Sequence, residues 1–413
     1  EKRWTKMEQR RIVIIGAVAS GTKTAAKARR EDSHARITLI TEESEISYAS
    51  CGTPYFISDI IKDSQSLIIR KPDYFREMLR VDVLTEHRAD SIDPVAKSVK
   101  VTNKKTGQSL TLAYDKLVVA VGASPNILTV EGVQYGNICT LHNIPSAIKI
   151  KAILQKKKIK NALVVGGGFI ALEMLESLIA NGIRTHLIIR RDRILSHFDK
   201  DIALLIQNHI RTKGVQILEE DEIRRFESDV NGDVAKVITK KRSLQVDFVL
   251  LATGISPNVQ LAKSAGIKIG KTGGIRVNQK LETNIPDIYA VGDCTETMHL
   301  VTGKPVWFPL ATISNKHGRV AGINVTGGND QFPGIVGTFV VKVFDWTVAK
   351  TGLSEKEAVE NGFETESIIV PSYDKAHYFP GAKRIIIKLI AEKTGGLLLG
   401  AEIIGDGVVD KRI

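Results

Sequence analysis

The stretch SYASCGTPYF, Ser47 to Phe56, holds the first of only three cysteines, Cys51, Cys139 and Cys294, in a chain of 413 residues. With no CxxC pair and no Cys/His ligand spacing, the three fit neither a disulfide scaffold nor a metal cluster, and no metal is expected. Any sulfur chemistry therefore rests on one thiol. Cys51 is the candidate, because Gly52 and Pro54 after it suit the start of a helix, whose free N–H groups favour a thiolate. A lone thiol can cycle if its sulfur partner comes from outside, as a mixed disulfide, a persulfide or a sulfenate.

The elements that must position such a thiol begin upstream of it. In RRIVIIGAVASGTKTAAKARR an apolar stretch runs into Gly16 and Gly21 and then into an alanine-rich helical pattern, with Val18 and Ala19 inside the turn. Strand, tight turn and helix is the context in which glycine lets a backbone approach a pyrophosphate while the helix N-terminus offers it free N–H groups. NALVVGGGFIALEMLESLIANGIRTHLIIRRDRIL repeats the pattern with Gly166 and Gly168, then Phe169 and Ile170, and Ala171 in place of the last glycine. Two copies imply two nucleotide-binding domains. YDKLVVAVGASPNI and VDFVLLATGISPNV are likewise one pattern written twice, an apolar strand, a glycine turn at Gly122 or Gly254, then Ser-Pro-Asn, as in duplicated domains. IPDIYAVGDCTE sets Asp293 just past a further apolar strand, at the edge where α/β sheets bind ligands, and an acid there suits a ribityl hydroxyl. The expected class is α/β, with two Rossmann-like nucleotide-binding domains and a C-terminal α+β domain.

Composition narrows the setting. The length allows two or three domains, and 43% hydrophobic with 25% charged residues is soluble-globular usage. No apolar run reaches the roughly 18 residues of a membrane span, and the N-terminus EKRWTKMEQR lacks a signal-peptide core, so a cytoplasmic protein without a membrane partner is expected. Met7 lies inside the chain, and residues 1–6 are set aside from fold reasoning. A net charge of +12 favours acidic partners, but the basic residues are spread without a nucleic-acid-binding motif, so no nucleic acid is expected.

In their order, GAVASG, SYASCGTPYF, VVGGGFIALE, ATGISPN, YAVGDC, NKHGRVAGINVTGG and HYFPGA resemble the FAD-dependent pyridine nucleotide-disulfide oxidoreductases. The likeness is strongest to the single-cysteine branch of coenzyme A disulfide reductases, NADH oxidases and persulfide reductases, and it runs from about Arg11 to the end. The resemblance implies that Gly16, Val18, Ala19, Gly21, Gly122 and Asp293 hold FAD, and that Gly166, Gly168, Phe169, Ile170 and Gly254 hold NADPH or NADH. Glu173 matches the family glutamate near the nicotinamide. It also implies an FAD domain over 7–125 and 258–331, an NAD(P)H domain over 126–257, and a dimerisation domain over 332–413 that makes a homodimer. Cys51 becomes the redox nucleophile of a relay from NAD(P)H through flavin to a small-molecule disulfide or persulfide, foremost one derived from coenzyme A.

Departures from the family pattern refine the expectation. Thr41 stands where the family has a ribose-binding glutamate, so Glu42 is expected to serve. Ile189 replaces the NAD-selecting acid and is followed by Arg190 and Arg191, a pair suited to a 2′-phosphate, so NADPH should be accepted. Lys23, Lys27 and Arg30, spaced i, i+4, i+7, share a helix face. In coenzyme A disulfide reductases the corresponding positions, with a serine matching Ser47, hold the coenzyme A moiety, and cations suit its phosphates. Ser50 replaces the family asparagine and resembles the oxidase branch, whereas Ala19 replaces the histidine of oxidases and peroxidases and favours a disulfide or persulfide. Tyr378 matches a tyrosine that relatives contribute toward the partner subunit's cysteine pocket. Relatives continue past the point matching Ile413, so the third domain reads as incomplete. GTFVVKVFDWTVAKTGLSEKEAVENGF reads as strand, turn, helix, and RIIIKLIAEKTGGLLLGAEIIG as a hairpin about Gly395-Gly396. An NAD(P)H oxidase, or a flavin subunit of a larger electron-transfer complex, stays open as the alternative.

Overall fold

Arg11–Ile15 has four of its five residues buried, the pattern of a strand covered on both faces, and it becomes the central strand of a parallel sheet. The sheet runs Ile288–Ala290, Lys116–Val119, Arg11–Ile15, Arg36–Ile40, Val81–Leu84. The first two glycine-turn strands pair in parallel, Arg11 opposite Arg36 through Ile15 opposite Ile40, joined by the helix Ser20–Glu31. That helix packs its small buried face, Ser20, Thr24, Ala25 and Ala28, toward the core, and lies against the helix Ala311–Asn324. This computed structural model describes residues 9–156 and 158–413, so the first two positions of the expected first domain, 7 and 8, lie outside the described residues.

The chain divides into two compact units. Unit 1 comprises residues up to 49, 65–124 and 256–335, and contains the sheet above. Unit 2 comprises 50–64, 125–255 and 336–413. Its nucleotide sheet repeats the first in parallel order, Gln216–Leu218, Arg184–Ile188, Asn161–Val165, Phe248–Leu251, Ile138–Cys139. The unit also holds a five-stranded antiparallel sheet in the order Phe339–Val343, Trp346–Gly352, Leu398–Gly405, Arg384–Glu392, Thr365–Tyr373. The class is α/β with a C-terminal α+β portion, as the sequence indicated.

The hairpin about Gly395-Gly396 is present, Arg384–Glu392 pairing with Leu398–Gly405. The stretch before the helix Glu355–Glu360 is two antiparallel strands where one strand was expected. The turn between them carries no glycine: Phe344 itself takes a left-handed φ of 57° beside Asp345, so no sequence punctuation marked it. Among the described residues no helix is long and apolar enough to cross a membrane.

Candidate active site

In both glycine turns the first glycine is imposed by the backbone. Gly16 sits at φ +109°, and a Cβ there would lie 2.0 Å from the Ala120 carbonyl oxygen; Gly166 sits at φ +116°, with the Ala252 oxygen 2.1 Å from such a Cβ. No L side chain fits either place. A Cβ on Gly21 would meet the Gly16 oxygen at 1.8 Å, so this glycine lets the helix close onto the turn. The second copy manages the same closure with a fully buried Ala171. Neither helix has a side-chain cap: Ala19 stands at the N-cap of Ser20–Glu31, and Gly168 at that of Phe169–Ala180. Their first N–H groups are thus left to a ligand or solvent. A Cβ on Gly168 would meet nothing within 4 Å, which leaves room against the backbone, whereas the first turn has half-buried Val18 at that place.

The repeated Ser-Pro-Asn segments explain each other. Asn126 donates its backbone N–H to the Gly254 oxygen at 2.9 Å, and Asn258 donates its own to the Gly122 oxygen at 2.9 Å. Asn258 also donates through its amide to Val121 O and accepts from the Ser124 hydroxyl. Asp293 sits in a single 3₁₀ turn just past Ile288–Ala290, where the Ser314 hydroxyl donates to its Oδ1 at 2.7 Å and Trp307 Nε1 to its carbonyl at 2.8 Å. Gly292 before it has φ +77°, and a Cβ would strike Ser20 Oγ at 2.5 Å, so this turn lies against the start of the first helix.

Of the three thiols only Cys51 is exposed, while Cys139 and Cys294 are buried. Burial pushes the Cys294 thiol up to about 12, and it donates to the carbonyls of Val291 and Val119, as befits a structural residue. Cys51 lies in the 3₁₀ turn Ser50–Gly52, which runs into the helix Thr53–Ile57 with Pro54 in its first turn. The Thr53 hydroxyl donates to Ser50 O at 2.7 Å and locks that junction.

A profile of the pyridine nucleotide-disulphide oxidoreductases matches residues 10–312, and one of their dimerisation domain matches residues 338–413. The chain belongs to this family. Over 406 residues it is 35% identical to a CoA-dependent NAD(P)H sulfur oxidoreductase of Pyrococcus furiosus, an alignment covering 98% of this chain and 90% of that one. Over 407 residues it is 31% identical to a coenzyme A disulfide reductase of Staphylococcus haemolyticus, covering 98% and 90%. A solved NAD-dependent persulfide reductase from A. fulgidus superposes with a TM-score of 0.94 at 38% identity, covering 97% of this chain and 75% of that one. The oxidoreductase is therefore an FAD enzyme that uses NAD(P)H, and its residues fit dinucleotides: two uncapped helix starts, each beside a glycine cradle that a Cβ would fill.

The other residues singled out in this oxidoreductase fall in distinct places. Thr41 is buried, and its hydroxyl accepts the Glu43 N–H; the Tyr48 hydroxyl donates to Glu43 at 2.7 Å. Glu42 is exposed, with Lys104 at 3.4 Å. Lys23 and Lys27 lie half-buried along Gly318 and Gly322 of the neighbouring helix, and Lys27 pairs with Glu31, while Arg30 is exposed. Ser47 takes a left-handed φ of 50°, donates its N–H to Ala17 O at 2.9 Å and accepts from Ile69, which brings it to the first glycine turn. Ile189 is buried at the end of the second strand of the nucleotide sheet, and Arg190 and Arg191 are exposed beyond it. Phe169 packs on Phe339, with ring centroids 4.8 Å apart. Burial, with Glu176 adding repulsion, pushes Glu173 up to about 7. Tyr378 is 81% exposed, in the loop between Thr365–Tyr373 and Arg384–Glu392. Asp374 anchors that loop, accepting N–H bonds from Lys383 and Val408.

Sequence reasoning missed Tyr55, Lys151 and Ser177. The Tyr55 phenol is held above its ordinary range by burial and by repulsion from Glu173 and Glu176, which places the thiol's segment beside the helix carrying Glu173. Lys151 and Ser177 bond to the Cys51 helix directly. A lysine on the buried face of IPSAIKIKAILQK was the signal available for Lys151.

Proposed function

We propose that the protein reduces a small-molecule disulfide or persulfide, foremost one carrying coenzyme A, with electrons from NAD(P)H and with Cys51 as the redox thiol. The observation that supports this most is the exposure of Cys51 alone among three cysteines, in a segment whose relatives include sulfur, persulfide and coenzyme A disulfide reductases. FAD, when bound at the first glycine turn by Gly16, Val18, Ala19, Gly21, Gly122 and Asp293, with Glu42 toward its ribose, supplies a two-electron store between nicotinamide and sulfur. The second turn, with Gly166, Gly168, Phe169, Ile170, Gly254 and the Arg190-Arg191 pair, takes NADPH or NADH.

In this reading the Cys51 thiolate attacks one sulfur of the acceptor. A Cys51–sulfur bond forms, the acceptor's S–S bond breaks, and the leaving thiolate takes its electron pair. Two electrons from NAD(P)H then cleave the mixed disulfide and return Cys51 to thiolate, releasing the second thiol. Lys23, Lys27, Arg30, Ser47 and Ser50 would hold the acceptor, Lys27 being the cation already paired with Glu31. The domains take the limits 7–125 with 258–331 for FAD, 126–257 for NAD(P)H and 332–413 for dimerisation. Tyr378 would reach the partner subunit's site. A homodimer is supported by the dimerisation-domain match and by exposed Ile368, Ile369 and Val370 on the sheet's edge strand. A cytoplasmic setting suits an enzyme that needs an exposed free thiol.

The test is to mix enzyme that carries Cys51 as a free thiol with coenzyme A disulfide and read the intact mass. One coenzyme A adduct, mapped to Cys51 and removed by NADPH under argon, is the expected result; an adduct elsewhere, or none, removes the relay.

A further inference from the structure

The helix Thr53–Ile57 is a five-residue piece, too short to hold itself together in water. Its last carbonyls accept backbone N–H groups from the turn that follows, Pro54 O from Ser58 at 3.0 Å and Phe56 O from Asp59 at 3.3 Å. Side chains from the nucleotide portion of unit 2 add second donors. Lys151 Nζ donates to the Phe56 carbonyl at 2.9 Å, pairs with Asp59 Oδ1 at 2.8 Å, and lies 4.0 Å over the Phe56 ring. The buried Ser177 hydroxyl donates to Pro54 O at 2.9 Å, and the Asn181 amide donates to Ile57 O at 3.4 Å. Lys151 is only 9% exposed, unusual for a lysine, and its position satisfies three separate attractions at one helix end. A cation at that end also opposes the helix dipole. Asp59 itself takes a left-handed φ of 63°, which turns the chain so that its carboxylate meets Lys151. Among the described residues up to 124, the clamped residues 50–64 are the part assigned to unit 2, and Cys51 is the second of them.

We infer that Lys151, seconded by Ser177, is a positioning residue for the redox thiol: it anchors the C-terminal end of the short helix and thereby fixes where Cys51, at the other end, presents its sulfur. Ser177 stands on the helix Phe169–Ala180 that starts at the second glycine turn and carries Glu173, so the thiol's support and the nicotinamide's support share one rigid element. This rests on the reading of Cys51 as the relay thiol.

The experiment compares wild type, Lys151→Met, Lys151→Arg, Ser177→Ala and Cys51→Ser as FAD-loaded proteins. Three quantities are read: anaerobic flavin bleaching by NADPH, steady-state turnover with coenzyme A disulfide, and amide hydrogen exchange of the peptide spanning 50–60. Lys151→Met should keep wild-type flavin bleaching but lose about tenfold in kcat with the disulfide, as a small displacement of a reacting group does. Its 50–60 amides should exchange faster, Lys151→Arg should restore both, and Ser177→Ala should show the same pattern more weakly. Unchanged disulfide turnover in Lys151→Met, or in Ser177→Ala should the first variant not fold, overturns the inference. Cys51→Ser separates the two ideas: if it turns over disulfide as wild type does, the relay reading fails first.

Discussion

Glu173 shows how one side chain's surroundings set its chemistry. Its carboxyl, half-buried on the helix Phe169–Ala180 with Glu176 one turn on, is pushed up from 4.5 to about 7, so near neutral pH it exchanges protons readily. The folded state then binds its proton more tightly than the unfolded chain does. Stability is accordingly full below the ordinary carboxyl range, declines as pH rises through the interval up to about 7, and is flat above it. Glu173→Gln should remove that decline, gaining up to roughly 3 kcal/mol at pH 8 relative to wild type, measured as urea midpoints at pH 5 and pH 8. Parallel pH dependence in both proteins would contradict the environment assigned here. At the same scale, Arg190 and Arg191 replaced together by alanine should raise the NADPH KM about tenfold or more while leaving that for NADH nearly unchanged, because only the former carries a 2′-phosphate for a guanidinium. Equal changes would make the two arginines surface charges.

Between elements, charge does what apolar packing does elsewhere. Asp199, at the N-cap of Lys200–Thr212, accepts the N–H groups of Glu355 and Lys356 and so ties two helix starts together. Lys388, from the strand Arg384–Glu392, is 3% exposed and reaches Asp201 at 2.8 Å and both Asp199 and Glu355 at 3.1 Å. Burial alone would lower its pKa, but hydrogen bonds to Asp201 and Asp199 hold it above the ordinary lysine value. Glu402, fully buried on the adjacent strand, accepts the Asp199 N–H, and burial pushes it up to about 8. Asp199, Asp201 and Glu402 lie close enough for a cation, yet the Lys388 ammonium already supplies the positive charge to both aspartates. Lys388→Met leaves buried Asp199 without its cation and should cost about 3 kcal/mol, read as a lower urea midpoint. A midpoint unchanged within error would show the network to be ornamental to stability.

Across the whole molecule, what was legible in the sequence was what the backbone demands. Gly16 and Gly166 could be read because no other residue tolerates their φ and the carbonyl beside them, and the repeated Ser-Pro-Asn segments because duplication writes the same bonds twice. The Lys151 clamp was not legible, since its partner Phe56 lies 95 residues away and only folding brings the two together. The Phe344 turn escaped for a different reason: it uses a residue that rarely takes a left-handed φ. The three cations of the first helix looked alike in sequence, but their neighbours separate them, one paired with Glu31 and one exposed. Assembly belongs to this scale too. Thr365–Tyr373 is an edge strand with Ile368, Ile369 and Val370 exposed, and if the proposed homodimer forms there, light scattering should show wild type as a dimer and Ile368→Asp as a monomer. A variant that stays dimeric would move the interface elsewhere.

The most direct test of the central claim is anaerobic NADPH oxidation by wild type and Cys51→Ser, with coenzyme A disulfide and coenzyme A persulfide as acceptors. The account predicts that wild type turns over at least one of them while Cys51→Ser, still yellow and still bleached by NADPH, falls by a factor of about 10³ or more. Equal turnover by the two proteins would contradict it and make the electron acceptor something other than a sulfur bonded to Cys51.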